Sequence, residues 1–138
     1  MRRGKTQLPS WGQFISYGAV GILNTLVDIA AFWSLISFGI SAVVANPISF
    51  LLGSVNSLLI NRAITFRGRL TSSPLLLVGK FGLITVCTLV LSQLALISAL
   101  QAGMSDMRGK FAAISATLIV GFWLNRAFTF REPKPPMS

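Results

Sequence analysis

The sequence predicts an all-α integral membrane protein, with four transmembrane helices arranged as two parallel two-helix repeats. Three observations carry that reading. Of the 138 residues, 53% are hydrophobic and only 11% are charged, against about a quarter charged in ordinary soluble domains; polar surface is too scarce to cover a water-soluble globule. The apolar residues fall in runs long enough to cross a bilayer, which takes about 20 residues of helix. A basic signature, Asn61-Arg62-Ala63-Ile64-Thr65-Phe66-Arg67, returns 64 residues later as Asn125-Arg126-Ala127-Phe128-Thr129-Phe130-Arg131, with six of seven positions identical. The same offset pairs Tyr17-Gly18 with Phe81-Gly82 and marks an internal repeat.

Residues 1–138 read as a single membrane domain, with a first repeat over about 11–67, a second over about 75–131 and a disordered tail at 132–138. Residues 1–10 carry Arg2, Arg3 and Lys5. No small-residue cleavage site follows a short apolar core, so they read as a cytoplasmic arm and not a signal peptide. The first helix is expected over about Trp11–Leu35, with Trp11 as an interfacial anchor. From Ile29 to Asn61 there are 33 residues without a charge, too many for the rest of one helix and too few for two. A turn must fall inside, and Phe38-Gly39-Ile40-Ser41 is the best candidate. The second helix is expected over about Ser41–Thr65, beginning or kinking at Pro47, since proline is tolerated at a first helical position with Asn46 as a cap before it. A polar, basic loop follows to Pro74. The third helix is expected over about Leu75–Gln101, with Lys80 snorkelling to the head groups. Residues 102–108 read as a loop and the fourth helix as about Gly109–Phe130. Only 15 uncharged residues separate Lys110 from Arg126, so both are expected to snorkel. The tail, Pro133-Lys134-Pro135-Pro136, does not suit a helix.

The net charge is +9, from twelve basic and three acidic residues. The basic residues lie between apolar runs and not along one face, so anionic lipid head groups or lipid phosphates are the expected partners and nucleic acid is not. Three basic residues lie in the N-terminal arm, three in 62–69 and three in 126–134, with Lys80 on the same side. The first tight turn has none, and the second has Arg108 and Lys110 beside Asp106. The positive-inside rule then puts both termini in the cytoplasm. Two spans per half place the pseudo-two-fold axis along the membrane normal. Cys87 is the single cysteine and there is no histidine. No metal, cofactor or catalytic set is expected.

Asp28 is the one acid inside a span, so it should face protein or water. Tyr17, Gly21, Asn24 and Asp28 step by four, three and four along one stripe. A functional carboxylate and a helix–helix hydrogen-bond clamp both fit that placement. Burial favours its neutral form and a neighbouring cation its charged form, and both stay open. Asn46, Ser49, Gly53 and Asn56 form a second stripe. The 64-residue offset aligns Asn24 with Thr88, Asp28 with Ser92, Asn46 with Lys110 and Asn56 with Val120. The first half thus supplies most of the hydrogen bonds of any polar cavity, with ordinary polar glue between helices as the plainer reading. Arg62 and Arg126 fall at the same depth in the two halves. A guanidinium suits phosphate, and a topology signal fits the same positions. Arg67 and Arg131 read as topology. Gly4-Lys5-Thr6 lacks the earlier glycine and the helix context of a P-loop.

The four spans, the Tyr17-Gly18 opening, Asn24 and Asp28 in the first helix, and the doubled Asn-Arg-x-x-Thr-Phe endings resemble the GtrA-like family of small bacterial membrane proteins, over roughly residues 11–131. The resemblance implies a multi-pass protein of the bacterial inner (cytoplasmic) membrane. It would flip a polyprenyl-phosphate-linked sugar to the outer leaflet for cell-surface polysaccharide or teichoic-acid glycosylation. In that role Arg62 and Arg126, with Asn61 and Asn125 beside them, would capture the phosphate. Asn24, Asp28, Asn46 and Asn56 would line a cleft for sugar hydroxyls. Four helices enclose little room, so a homodimer is expected. The competing classes are a proton-coupled exporter resembling the small multidrug-resistance transporters, whose cationic cargo suits Asp28 but not the arginine pair, and a non-transporting scaffold that recruits a membrane glycosyltransferase.

Overall fold

The computed structural model describes residues 11–65 and 74–129, with the side chains of 18–60, 63, 75, 78–121 and 123. Four helices make up the described chain: α1 (Trp11–Ser37), α2 (Ala42–Thr65), α3 (Pro74–Gln101) and α4 (Asp106–Thr129). At 1.5 Å per residue each is about 36–42 Å long, enough for the hydrocarbon core. Gly18–Ser37, Ala42–Ile60 and Val78–Gln101 are long and apolar enough to cross a membrane. α4 matches α2 in length but is the least apolar of the four, because Asp106, Arg108 and Lys110 fall in its first two turns.

The helices form two antiparallel hairpins, α1 with α2 and α3 with α4, which meet through α2–α3 and, more sparsely, α1–α4. Both tight turns end up at the same end of the bundle. They are built alike. In the first, Gly39 N–H donates to Ile36 C=O (2.8 Å) and Ile40 N–H to Leu35 C=O (3.1 Å). In the second, Gly103 N–H donates to Leu100 C=O (3.0 Å) and Met104 N–H to Ala99 C=O (3.1 Å). This is a Schellman ending, which wants a left-handed residue at its fifth position. Gly39 and Gly103 supply it, each at φ 85°. Every atom of one turn's pattern recurs 64 residues on, so the repeat seen in the sequence is also a repeat of backbone geometry.

The first turn falls at residues 38–41, where the uncharged run requires one. The second is shorter than expected. α4 starts at Asp106 and not near Gly109, because Gly109 N–H already donates to Ser105 C=O (2.8 Å), and Asp106 puts an acid where the helix N-terminus favours one. α2 neither begins at Pro47 nor waits for it; it is helical from Ala42. Pro47 has no N–H to give Val43 C=O, its partner four residues back. Gln93 Nε2 of α3 donates to that carbonyl instead, at 2.8 Å. A proline that would leave an orphan acceptor thus becomes a joint between the two hairpins.

Few side chains are fully enclosed. The core is Phe32, Ala42, Ala45, Leu96 and Ala113; Phe32 and Leu96 are repeat equivalents, and both are completely buried. The alanines let backbones approach closely, as small residues do between membrane helices. Leu26, Trp33, Leu59, Leu83 and Leu94 are exposed on the outside, the arrangement expected where lipid is the solvent. Lys80 is exposed near the start of α3, free to snorkel.

Left-handed backbone costs a residue with Cβ about 1–2 kcal/mol. Gly39→Ala and Gly103→Ala should each lower the thermal midpoint in detergent. Gly18→Ala, in a helix with nothing within 4 Å of the new Cβ, should leave it unchanged or raise it. Equal midpoints for all three would count against the shared turn.

Candidate functional site

The centre of the bundle is polar. Lys110 lies one turn into α4 and is completely buried. Its Nζ donates to Asp28 Oδ1 of α1 at 2.6 Å, to Asn46 Oδ1 of α2 at 2.8 Å and to Ser49 Oγ of α2 at 3.2 Å. An ammonium carries three N–H donors and no acceptor, and here three acceptors surround it. The Phe32 ring lies 5.0 Å from the same nitrogen, close enough for a cation–π contact. Asn46 then passes the network on: its Nδ2 donates to Gln93 Oε1 at 2.9 Å and to Ser92 Oγ at 3.2 Å, both on α3. One connected set of hydrogen bonds therefore joins all four helices. Among the described residues no buried side-chain nitrogen or oxygen lacks a partner.

Lys110 was expected to snorkel, and it does not. Its position one turn from the α4 start would let the chain reach the head groups. Doing so would strand the Asp28 carboxylate, whose side chain is only 11% exposed. An unpaired charge in such a place costs several kcal/mol, and pairing with full hydrogen bonding offsets that cost.

The repeat explains why these residues meet. Asn46 and Lys110 are equivalents under the 64-residue offset, and so are Ser92 and Asp28. The Asn46–Ser92 bond in one place and the Lys110–Asp28 bond in the other are thus the same contact, made twice across the pseudo-two-fold. One copy is neutral and the other is ionic. Lys110–Asn46 is the contact between the two equivalents themselves, close to the axis.

Beside the pair lies an open cleft of about 230 Å³. It runs from the level of Asp28 away from the turns, and all four helices line it. Asn24, Thr25, Asp28, Ser54, Ser57, Thr85, Thr88 and Thr117 form its polar lining, and Phe50, Phe81, Ile84, Ile114 and Leu118 its apolar lining. Gly53 sets its width on the α1–α2 side. A Cβ there would lie 3.0 Å from Asn24 C=O and 3.3 Å from Asp28 Cβ, so any larger residue would press the two helices apart by a few tenths of an ångström. Across the same contact Asn56 Nδ2 donates to Asn24 Oδ1 at 2.7 Å.

Of the residues singled out from sequence, Asn24 and Asp28 line the cleft. Asn46 is fully buried, its carboxamide committed to Lys110, Ser92 and Gln93. Asn56 holds Asn24. Asn61 and Arg62 belong to the last turns of α2, and Asn125 and Arg126 to those of α4; their side chains lie outside the described residues. Sequence reasoning missed Lys110 as a core residue; the first half supplies five of the cleft's eight polar lining residues, as expected, and the second half adds Thr85, Thr88 and Thr117 there and Ser92, Gln93 and Lys110 in the network behind it. The alignment of Lys110 with Asn46, an inward stripe position, was the available signal.

The sequence matches the family model described as "GtrA/DPMS, transmembrane domain" over residues 16–130. No curated protein and no solved structure matches it.

Breaking a buried pair by removing one partner costs about 3–5 kcal/mol. Asp28→Asn and Lys110→Met should each lower thermal stability in detergent to that degree. The double substitution Asp28→Ser/Lys110→Asn copies the neutral contact that the other half already makes and should recover most of the loss. A double variant no more stable than the weaker single one would show that the two contacts are not interchangeable.

Proposed function

Because the chain belongs to the GtrA/DPMS transmembrane-domain family, we propose that this multi-pass membrane protein, whose family points to a sugar-lipid-related role, translocates a polyprenyl-phosphate-linked sugar across the bacterial inner membrane. The product would serve cell-surface polysaccharide or teichoic-acid glycosylation. A lipid-linked sugar has a tail that belongs in hydrocarbon and a head that does not. Moving it requires a polar place for the head at membrane depth while the tail stays in lipid. The observation that supports this reading is the cleft, where hydroxyl, carboxamide and carboxylate groups converge from all four helices of an otherwise apolar protein. Its size, below the ~300–1,000 Å³ of drug-sized pockets, suits one sugar ring better than an oligosaccharide.

In this reading no bond is made or broken, and no cofactor is needed. Both termini are cytoplasmic, which sets Arg62 and Arg126 with Asn61 and Asn125 at the inner surface, where their guanidinium groups capture the lipid phosphate. The sugar passes to Asn24 and Asp28 in the cleft. Asn46 acts from behind, by holding Lys110, and Asn56 by holding Asn24. A second copy of the chain and a membrane glycosyltransferase are the partners this role calls for.

The test is translocation of a fluorescent short-chain polyprenyl-phosphate glucose in proteoliposomes. Wild type should speed its movement between leaflets. Arg62→Lys and Arg126→Lys keep the charge that sets orientation but lose the planar fork. Each should insert normally and weaken lipid binding about tenfold, or about 1.4 kcal/mol. Unchanged binding in both variants would leave the arginines as a topology signal, and wild-type vesicles no faster than empty ones would remove the translocase reading.

A further inference from the structure

The cleft is charged on one side only. Asp28 belongs to its lining and Lys110 does not. The ammonium's side chain is 1% exposed, while the carboxylate's retains 11%. Lys110 takes Asp28 Oδ1, and a carboxylate has more lone pairs than one donor fills. A ligand in the cleft therefore meets the negative member of the pair, with the positive member turned away behind it.

The hydroxyl groups point to the same chemistry. Thr25 Oγ1 donates its proton to Gly21 C=O at 2.9 Å, Thr88 Oγ1 to Ile84 C=O at 2.7 Å and Thr117 Oγ1 to Ile114 C=O at 2.8 Å. Each bond stays within the threonine's own helix. A hydroxyl has one proton and two lone pairs, so once the proton is committed only acceptor capacity remains for the cleft. Three threonines from three helices and one carboxylate thus present lone pairs to the same small space. These four groups want a partner that brings donors, while Asn24, its Oδ1 taken by Asn56, keeps its Nδ2 donors for the same lining. A sugar ring brings several O–H groups, and its C–H faces suit Phe50 and Phe81. Phosphate and carboxylate groups bring no donors, and they add repulsion from Asp28.

We infer that the cleft is a charge-selective site for a neutral, hydroxyl-rich sugar ring, that it excludes carboxylated or phosphorylated rings, and that Asp28 with Thr25, Thr88 and Thr117 sets this preference. The inference rests on the proposed translocase role only for the lipid that carries the ring. It follows that the lipid phosphate stays outside the cleft while the ring is inside.

The test compares octyl β-glucoside with octyl β-glucuronide, the same ring with a carboxylate in place of the hydroxymethyl group and no phosphate in either. The full-length protein is purified in a polyoxyethylene detergent, because sugar detergents would occupy the site, and binding is read by thermal-shift titration. Wild type should bind the glucoside and bind the glucuronide at least about tenfold more weakly. Thr88→Val keeps the shape, removes an acceptor and should weaken glucoside binding about tenfold. Asp28→Ser/Lys110→Asn should bind the two probes alike. Equal or tighter glucuronide binding by wild type overturns the inference, as does full glucoside affinity in Thr88→Val. These readouts hold whether or not the double variant folds. Selective glucoside binding in a protein that fails to move lipid-linked sugar supports the inference and removes the translocase role. Movement of lipid-linked sugar with no glucoside binding removes the inference and leaves the role standing.

Discussion

A single buried ammonium organises this bundle. Lys110 sits where no water reaches it, and an isolated cation there would cost several kcal/mol. The fold meets that constraint with an acceptor for each of its three protons, from Asp28, Asn46 and Ser49. Those acceptors come from α1 and α2, across the boundary between the two hairpins. Side chains that only pack could slide past one another in lipid, where the hydrophobic effect does not press helices together. Three directed bonds to one nitrogen cannot slide without leaving a bare charge. The pair also explains how α4, the least apolar helix, belongs to a membrane bundle: its lysine faces protein and carries its counter-ion with it.

Around this point the repeat has diverged in chemistry while keeping its geometry. The two turns share their hydrogen bonds and their positive φ glycines. Phe32 and Leu96 fill equivalent buried positions. Asn46–Ser92 and Lys110–Asp28 are one contact in two forms. The ionic form puts a carboxylate on the cleft and hides its cation, so the cleft is asymmetric although the backbone is close to symmetric. On α3, Gln93 ties the neutral form into the freed carbonyl of Val43. The two polar clasps together hold hairpins that otherwise touch sparingly.

Much of this was legible in the sequence. The apolar runs, the uncharged stretch from Ile29 to Asn61 and the doubled signature were enough for four helices in two repeats, and for the turn at Gly39. Asn24 and Asp28 could be placed on one inward stripe from their spacing. The errors share one cause, which is that a partner on another helix is invisible along the chain. Pro47 read as a possible helix start because the donor that replaces its missing N–H lies on α3. Lys110 read as a snorkelling residue because its distance from the helix end allows that. Only the face it presents decides otherwise, and the face is set by Asp28, 82 positions away. The offset alignment already put Lys110 opposite Asn46. A lysine and an intramembrane acid on inward faces of a repeat are a stronger signal of pairing than either is of function.

The central claim, that Lys110 is enclosed by the bundle and does not reach for the head groups, is tested most directly by amine reactivity. Lys80 is an exposed internal standard in the same chain. Acylation of the folded, full-length protein in detergent, followed site by site with mass spectrometry, should modify Lys80 readily. Lys110 should react at least about tenfold more slowly, the factor that corresponds to an opening cost of about 1.4 kcal/mol, and catch up once the protein is unfolded. Lys110 reacting as fast as Lys80 in the folded protein would contradict the account.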